Sequence, residues 1–161
     1  MVLPSYFAYN VKIGHVVSEL WPEQQIGKEQ NLMQPPLPVL LIEDDEVDQE
    51  LIQRLIQPYA HRFAVTAVPD AIRALELLPR AHLHFAIILL DLMLPRMNGF
   101  EFLHFLRQQP TQKERIVIVI TGSNDEQDRL RAERYQIAGY FLKDKLGSDA
   151  VSLIQLLHTF K

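Results

Sequence analysis

Asp91 stands where an apolar run stops: Phe85–Leu90 reads F-A-I-I-L-L, and a carboxylate follows at once. The same arrangement recurs along the chain. Glu43 and Asp44 follow Val39-Leu40-Leu41-Ile42, Thr121 follows Ile116–Ile120, and Lys143 follows Gly139-Tyr140-Phe141-Leu142. Continuous apolar runs, rich in β-branched residues, are the signature of parallel strands buried on both faces. Open α/β sheets place their ligands at the carboxyl ends of such strands. These positions are therefore expected to share one rim.

An acid pair, a lone Asp, a hydroxyl and an ammonium suit a narrow range of chemistry. Three crowded carboxylates repel unless protons return or a cation arrives. Mg²⁺ fits, because it takes oxygen ligands and is held by one or two carboxylates while keeping several waters. A carboxylate is also a competent nucleophile toward a phosphoryl group. With the metal and Lys143 neutralising oxygen charge and Thr121 holding another oxygen, phosphoryl transfer onto Asp91 is the favoured reaction. The acyl phosphate formed can be removed by water, so the mark is temporary. Gly122 leaves room beside Thr121.

The elements that must position these groups follow in order. The first strand ends at Ile42, and Val47, Leu51, Ile52, Leu55 and Ile56 recur at helical spacing until Pro58. Phe63–Val68 is the second strand, Asp70 caps a helix carrying Ile72, Ala74, Leu75 and Leu78, and the Asp91 run is the third strand. Beyond it the chain turns through Pro95 and Asn98-Gly99, and Phe100, Leu103 and Leu106 mark the third helix. Ser123-Asn124-Asp125-Glu126 has capping-box spacing and predicts the start of the fourth helix at Ser123. That helix is polar almost all round, so it packs weakly and can shift when Thr121 moves toward a new charge. Ser148 is expected to cap the last helix, with Val151, Ile154, Leu157 and Phe160 as its apolar stripe. The expectation is a (βα)₅ α/β domain with a five-stranded parallel sheet in the order 2-1-3-4-5.

Ile42-Glu43-Asp44-Asp45, D-L-M-L-P-R-M-N-G, V-I-T-G and G-Y-F-L-K, in that order, resemble the receiver domain of two-component response regulators, the CheY-like fold. The steps of thirty residues from Asp91 to Thr121 and twenty-two from Thr121 to Lys143 match that family's habit. The resemblance spans Leu37 to Lys161. It implies that Asp91 accepts a phosphoryl group from a phosphohistidine on a sensor histidine kinase or phosphotransfer protein. It implies Mg²⁺ bound directly by Asp44, more remotely by Glu43, and by Asp91 and the Met93 backbone carbonyl. Thr121 and Lys143 would hold phosphoryl oxygens, and Tyr140 would change rotamer with Thr121. With no DNA-binding or catalytic output segment in this sequence after the receiver-like stretch, the expectation by resemblance is a single-domain regulator that signals by partner binding. The E-D-D-E-x-D opening is similar to regulators paired with phytochrome-type kinases. The family habit of dimerising through the fifth strand and its flanking helices is open here.

Two departures stand out. Asp144 follows Lys143 where the family has proline, commonly in a cis bond; a cis bond without proline costs about 3–4 kcal/mol, so a trans loop or a strained one is expected. Asp144 also brings a negative charge beside Lys143. Glu43 replaces the more frequent Asp. These leave a second reading, a pseudo-receiver that keeps the fold as an interaction module without being phosphorylated.

Other chemistries fit less well. A haloacid dehalogenase-type hydrolase needs D-x-D, and Met93 occupies the second position. I-I-L-L-D mimics a Walker B strand, yet no G-x-x-x-x-G-K-[ST] is present. A flavin phosphate would be repelled by Glu43-Asp44-Asp45-Glu46. His82 and His84 form an H-x-H pair without a third ligand nearby. Asp45, Glu46 and Asp48 read as charges favoured by a helix N-terminus. His104 reads as helix packing, and Phe100, Phe102 and Phe105 as core or a partner face.

At 161 residues, the length suits one domain with a real core. A net charge of −4 argues against a nucleic-acid partner, and no apolar stretch is long enough for a membrane span. The absence of cysteine and of a secretory signal makes the cytoplasm the default. Residues 1–36, closed by Pro35-Pro36, read as an N-terminal extension separate from a domain at 37–161. Three readings stay open for it: a disordered or loosely packed segment, upstream codons before a true start at Met33, or a docking arm using its aromatics.

Overall fold

β-Branched and leucine-rich runs bounded by turn residues become strands here because parallel pairing covers both faces of each. The computed structural model describes residues 35–79 and 84–160, and the expectations for His82 and for residues 1–34 lie outside them. The elements are β1 (Leu37–Ile42), α1 (Glu46–Ile56), β2 (Phe63–Val68), α2 (Ala71–Leu77), β3 (Ile87–Leu90), α3 (Gly99–Gln108), β4 (Ile116–Thr121), α4 (Glu126–Glu133), β5 (Gly139–Leu142) and α5 (Leu146–Thr159). The sheet order is β2-β1-β3-β4-β5, and all pairs are parallel, as expected.

Alternation along the strands divides the core in two. Val39, Leu41, Ile87, Leu89, Ile118 and Ile120 pack with Ile52 and Ile56 of α1 and with Leu153, Ile154 and Leu157 of α5. Leu40, Ile42, Ile88, Leu90, Val117 and Val119 pack on the other face with α2, with Phe102, Leu103 and Leu106 of α3, and with Ala132 of α4. Both faces of the central strands are sealed.

Register brings the strand ends level. Ile42 pairs with Leu90 and Leu90 with Val119, while Thr121 pairs with Leu142. The Asp91 N–H donates to the Ile42 carbonyl at 3.0 Å, so Glu43 and Asp91 leave the sheet side by side.

Several local expectations are corrected. The α4 cap is Asp125, whose carboxylate accepts from the Gln127 N–H, and not Ser123. Ser123 instead donates its hydroxyl to Asp128 Oδ2 at 2.6 Å, which removes it from capping. Ser148 is not the α5 cap either. A 3₁₀ turn over Lys143–Lys145 runs into α5 at Leu146, and the Ser148 hydroxyl donates back to the Lys145 carbonyl. Asn98-Gly99, expected as a turn, is the head of α3: Asn98 and Glu101 form a reciprocal capping box. Val47, Leu51, Ile72 and Val151 lie on exposed faces, because only one side of each covering helix meets the sheet. α4 is polar almost all round, as expected, with Ala132 its one buried residue. Arg131 of α4 also stacks over the Phe100 ring at 4.1 Å.

Candidate functional site

The β1, β3 and β5 strand ends converge on one ammonium. Lys143 Nζ lies 2.8 Å from Asp91 Oδ2, 2.8 Å from Asp48 Oδ2, and 2.9 and 2.8 Å from the two oxygens of Glu43. Glu43 and Asp91 are 1% and 3% exposed, so their charges depend on protein partners and not on water. Asp91 Oδ1 accepts from the Met93 N–H at 3.1 Å, which fixes the carboxylate plane.

Gly99 makes this seating possible. Its N–H donates to the Leu92 carbonyl, and a Cβ there would stand 2.6 Å from the Asp91 carbonyl oxygen. Only glycine lets the head of α3 come so close to the strand end. The intervening loop passes through Arg96 at φ 66°, and Arg96 pairs with Asp70, the buried cap of α2.

Burial drives the Glu43 carboxyl up to about 7; the Lys143 hydrogen bond opposes this and the Asp91 charge adds to it. Burial pulls the Lys143 ammonium down, but hydrogen bonds to Asp48, Asp91 and Glu43 outweigh it and hold the pKa above its ordinary value. Lys143 is a locked cation.

One ammonium does not balance the carboxylates around it. Glu43, Asp44 and Asp91 offer oxygens all within 4.8 Å of one another, a set that could hold a metal ion. Asp44 is exposed, whereas its two companions are buried. Glu43 Oε2, though 2.8 Å from Lys143 Nζ, accepts no hydrogen bond. A buried carboxylate oxygen with an ion-pair contact but no hydrogen bond, in an all-oxygen donor set, fits a hard divalent cation.

Thr121 is fully buried at the end of β4, and its Oγ1 accepts from the Ser123 N–H at 3.3 Å. A Cβ on Gly122 would meet open space, so the rim has room there. Tyr140 is half-buried on β5 and donates its hydroxyl to the Ser123 carbonyl at 2.9 Å, tying β5 to the loop between Thr121 and α4. Burial pushes its phenol up. No peptide among the described residues is cis, so the Lys143–Asp144 bond is trans, and Asp144 points its charge to an exposed position.

Asp48 is a first-turn acid of α1, as its sequence position suggests, and it also pairs with Lys143 Nζ at 2.8 Å, a contact that sequence reasoning misses. The missed signal is geometric: with Asp45 as N-cap, side chains of the first turn tilt back toward the helix N-terminus and the rim. His84 is exposed, and Phe100 and Phe102 are core while Phe105 is partly exposed.

A five-stranded 2-1-3-4-5 sheet with an acid cluster and a lysine at its carboxyl rim defines the receiver class, and comparison with known proteins agrees. The family model of the response regulator receiver domain matches residues 39–155, and the chain belongs to that family. Response regulator Rcp1 of Synechocystis sp. is 29% identical over 135 residues, covering 78% of this chain and 89% of Rcp1. The crystal structure of the phosphorylated cyanobacterial phytochrome response regulator RcpA superposes with a TM-score of 0.70 at 26% identity, covering 78% of this chain and 97% of RcpA. The Mn²⁺-bound form of Rcp1 has a TM-score of 0.66 at 27% identity, covering 78% and 94%. No helix among the described residues is long and apolar enough to cross a membrane.

Proposed function

We propose that this chain is a response regulator whose Asp91 takes a phosphoryl group from a phosphohistidine of a sensor histidine kinase and signals by phosphorylation-dependent partner binding. The observation that carries this is a nearly buried Asp91 carboxylate 2.8 Å from a locked ammonium, in a cluster with Glu43 and Asp44 whose oxygens lie within 4.8 Å of one another. The receiver module runs from 37 to 161 and residues 1–36 are an extension. The cytoplasm is the compartment where such a kinase output would meet it.

Transfer forms an O–P bond at Asp91 and breaks the N–P bond of phosphohistidine, whose imidazole leaves. Mg²⁺, when held by Glu43, Asp44, Asp91 and the Met93 carbonyl, supplies neutralising charge for the phosphoryl oxygens. Lys143 contributes a second cation already in contact with the nucleophile. Water later attacks phosphorus and releases phosphate. The new anion at the rim draws Thr121, and with it the Ser123 segment that Tyr140 holds. A thinly packed α4 is the element such a pull can move.

Similarity to Rcp1 and to RcpA, a cyanobacterial phytochrome response regulator, supports a phytochrome-type kinase as donor, and the Mn²⁺-bound Rcp1 supports a divalent metal. Fluorine NMR with beryllofluoride tests the reading. A bound signal that requires Mg²⁺ and disappears in Asp91→Asn is expected. Its absence from the wild type would leave a pseudo-receiver scaffold.

A further inference from the structure

The ammonium of Lys143 has three N–H donors, and three carboxylates surround it: Glu43, Asp48 and Asp91. Two of these belong to the cluster that offers oxygens to a cation, and Asp48 does not. A divalent ion shared by Glu43, Asp44 and Asp91 competes for the lone pairs that Lys143 uses, and two cations in that space repel. Asp48 alone keeps its carboxylate for the ammonium. It is well placed to do so, because its own N–H donates to the Asp45 cap at 3.0 Å and its side chain is only 30% exposed.

We infer that Asp48 is the positioning residue for Lys143, retaining the ammonium at the rim when the acid cluster holds metal and releasing it to the phosphoryl oxygens once Asp91 is modified. The inference rests on the receiver reading above. The acyl phosphate carries roughly −1.5 to −2 charge in place of the single carboxylate charge that Asp91 gives up, and so more than the single charge of Asp48, so the ammonium's preference inverts on modification. Without Asp48, the metal-bound state would let Lys143 swing into solvent, and each transfer would have to recapture it. The simpler account is that Asp48 only complements the α1 dipole. That account assigns it an effect on stability and none on Lys143.

The test uses the full-length protein with ¹⁵N-labelled lysine. The Lys143 ammonium resonance, assigned with Lys143→Arg, is visible while hydrogen bonds shield it from exchange with water. In the wild type it should persist with and without saturating Mg²⁺. In Asp48→Ala it should persist without metal and vanish when Mg²⁺ is added, and Asp48→Glu should restore it. Labelling of Asp91 by acetyl phosphate should slow about tenfold or more in Asp48→Ala, as misplacement of a transition-state cation requires, with no further slowing when added to Lys143→Met. An Asp48→Ala protein that keeps the resonance in Mg²⁺ and is labelled at the wild-type rate would overturn the inference. A wild type that neither binds Mg²⁺ nor is labelled would overturn the receiver reading as well, and is told apart because the wild type itself fails.

Discussion

Lys143 Nζ and Asp91 Oδ2 lie 2.8 Å apart, although fifty-two residues of chain separate them. The contact closes the rim between β3 and β5 and places a cation on the Asp91 carboxylate. Removing it as Lys143→Met leaves Glu43 and Asp91 buried without their counter-charge, which costs about 3–5 kcal/mol for a pair of this kind. Thermal unfolding should show a large drop in Tm in metal-free buffer. Added Mg²⁺ should raise Tm more in the variant than in the wild type, because only the variant lacks an internal cation. Equal Mg²⁺ shifts in the two proteins would contradict this.

Glu43 gives the metal-free protein a pH dependence. Its carboxyl sits at about 7 in the fold against an ordinary value of 4.5, so the fold binds its proton more tightly than the unfolded chain does. The stability this contributes is complete below about pH 4.5 and is lost as pH rises through about 7, roughly 3 kcal/mol in all. Lys143 is raised from 10.5, so its favourable contribution is constant throughout that window. Urea unfolding in chelator should therefore show a decline between pH 5 and 8 that Glu43→Gln removes. A variant that declines as steeply as the wild type would count against the assignment.

Gly99→Ala should damage the site from outside it. The added Cβ would lie 2.6 Å from the Asp91 carbonyl oxygen and 2.7 Å from the Leu92 Cα, both backbone atoms that cannot swing aside. Overpacking of this sort costs about 1–3 kcal/mol. Denaturant melts should show that loss, and acetyl phosphate labelling of Asp91 should slow with it. Wild-type values for both would mean α3 docks less tightly than the structure has it.

Tyr140→Phe removes one hydrogen bond, from the phenol to the Ser123 carbonyl, and should cost about 1 kcal/mol. Amide exchange should quicken at Ser123 to Asp125 and leave β1 and β3 unaffected. Unchanged exchange there would detach Tyr140 from the β4–α4 loop.

The sheet was legible because parallel strands buried on both faces show as unbroken apolar runs, and the register follows once their ends are known. The convergence of Glu43, Asp91 and Lys143 was legible for the same reason: each stands directly after such a run. Helix starts were less so. Ser123 and Asp125 are both good caps two residues apart, and the choice fell to Asp125 because Ser123 found Asp128 in space. Nor does spacing reveal which apolar residues face outward, as Val47 on α1 and Val151 on α5 do, since the neighbouring sheet decides that. Asp48 was hidden because an acid in a first helical turn already has a local explanation. Its contact with Lys143 arises only when β5 is laid beside β4.

The central claim is that Asp91 is a phosphoryl acceptor. Incubation of the full chain with Mg²⁺ and acetyl phosphate, followed by intact-mass measurement, tests it most directly. The wild type should gain the mass of one phosphoryl group, and Asp91→Asn should gain none. A wild type that remains unmodified, or an Asp91→Asn protein modified to the same extent, would contradict it.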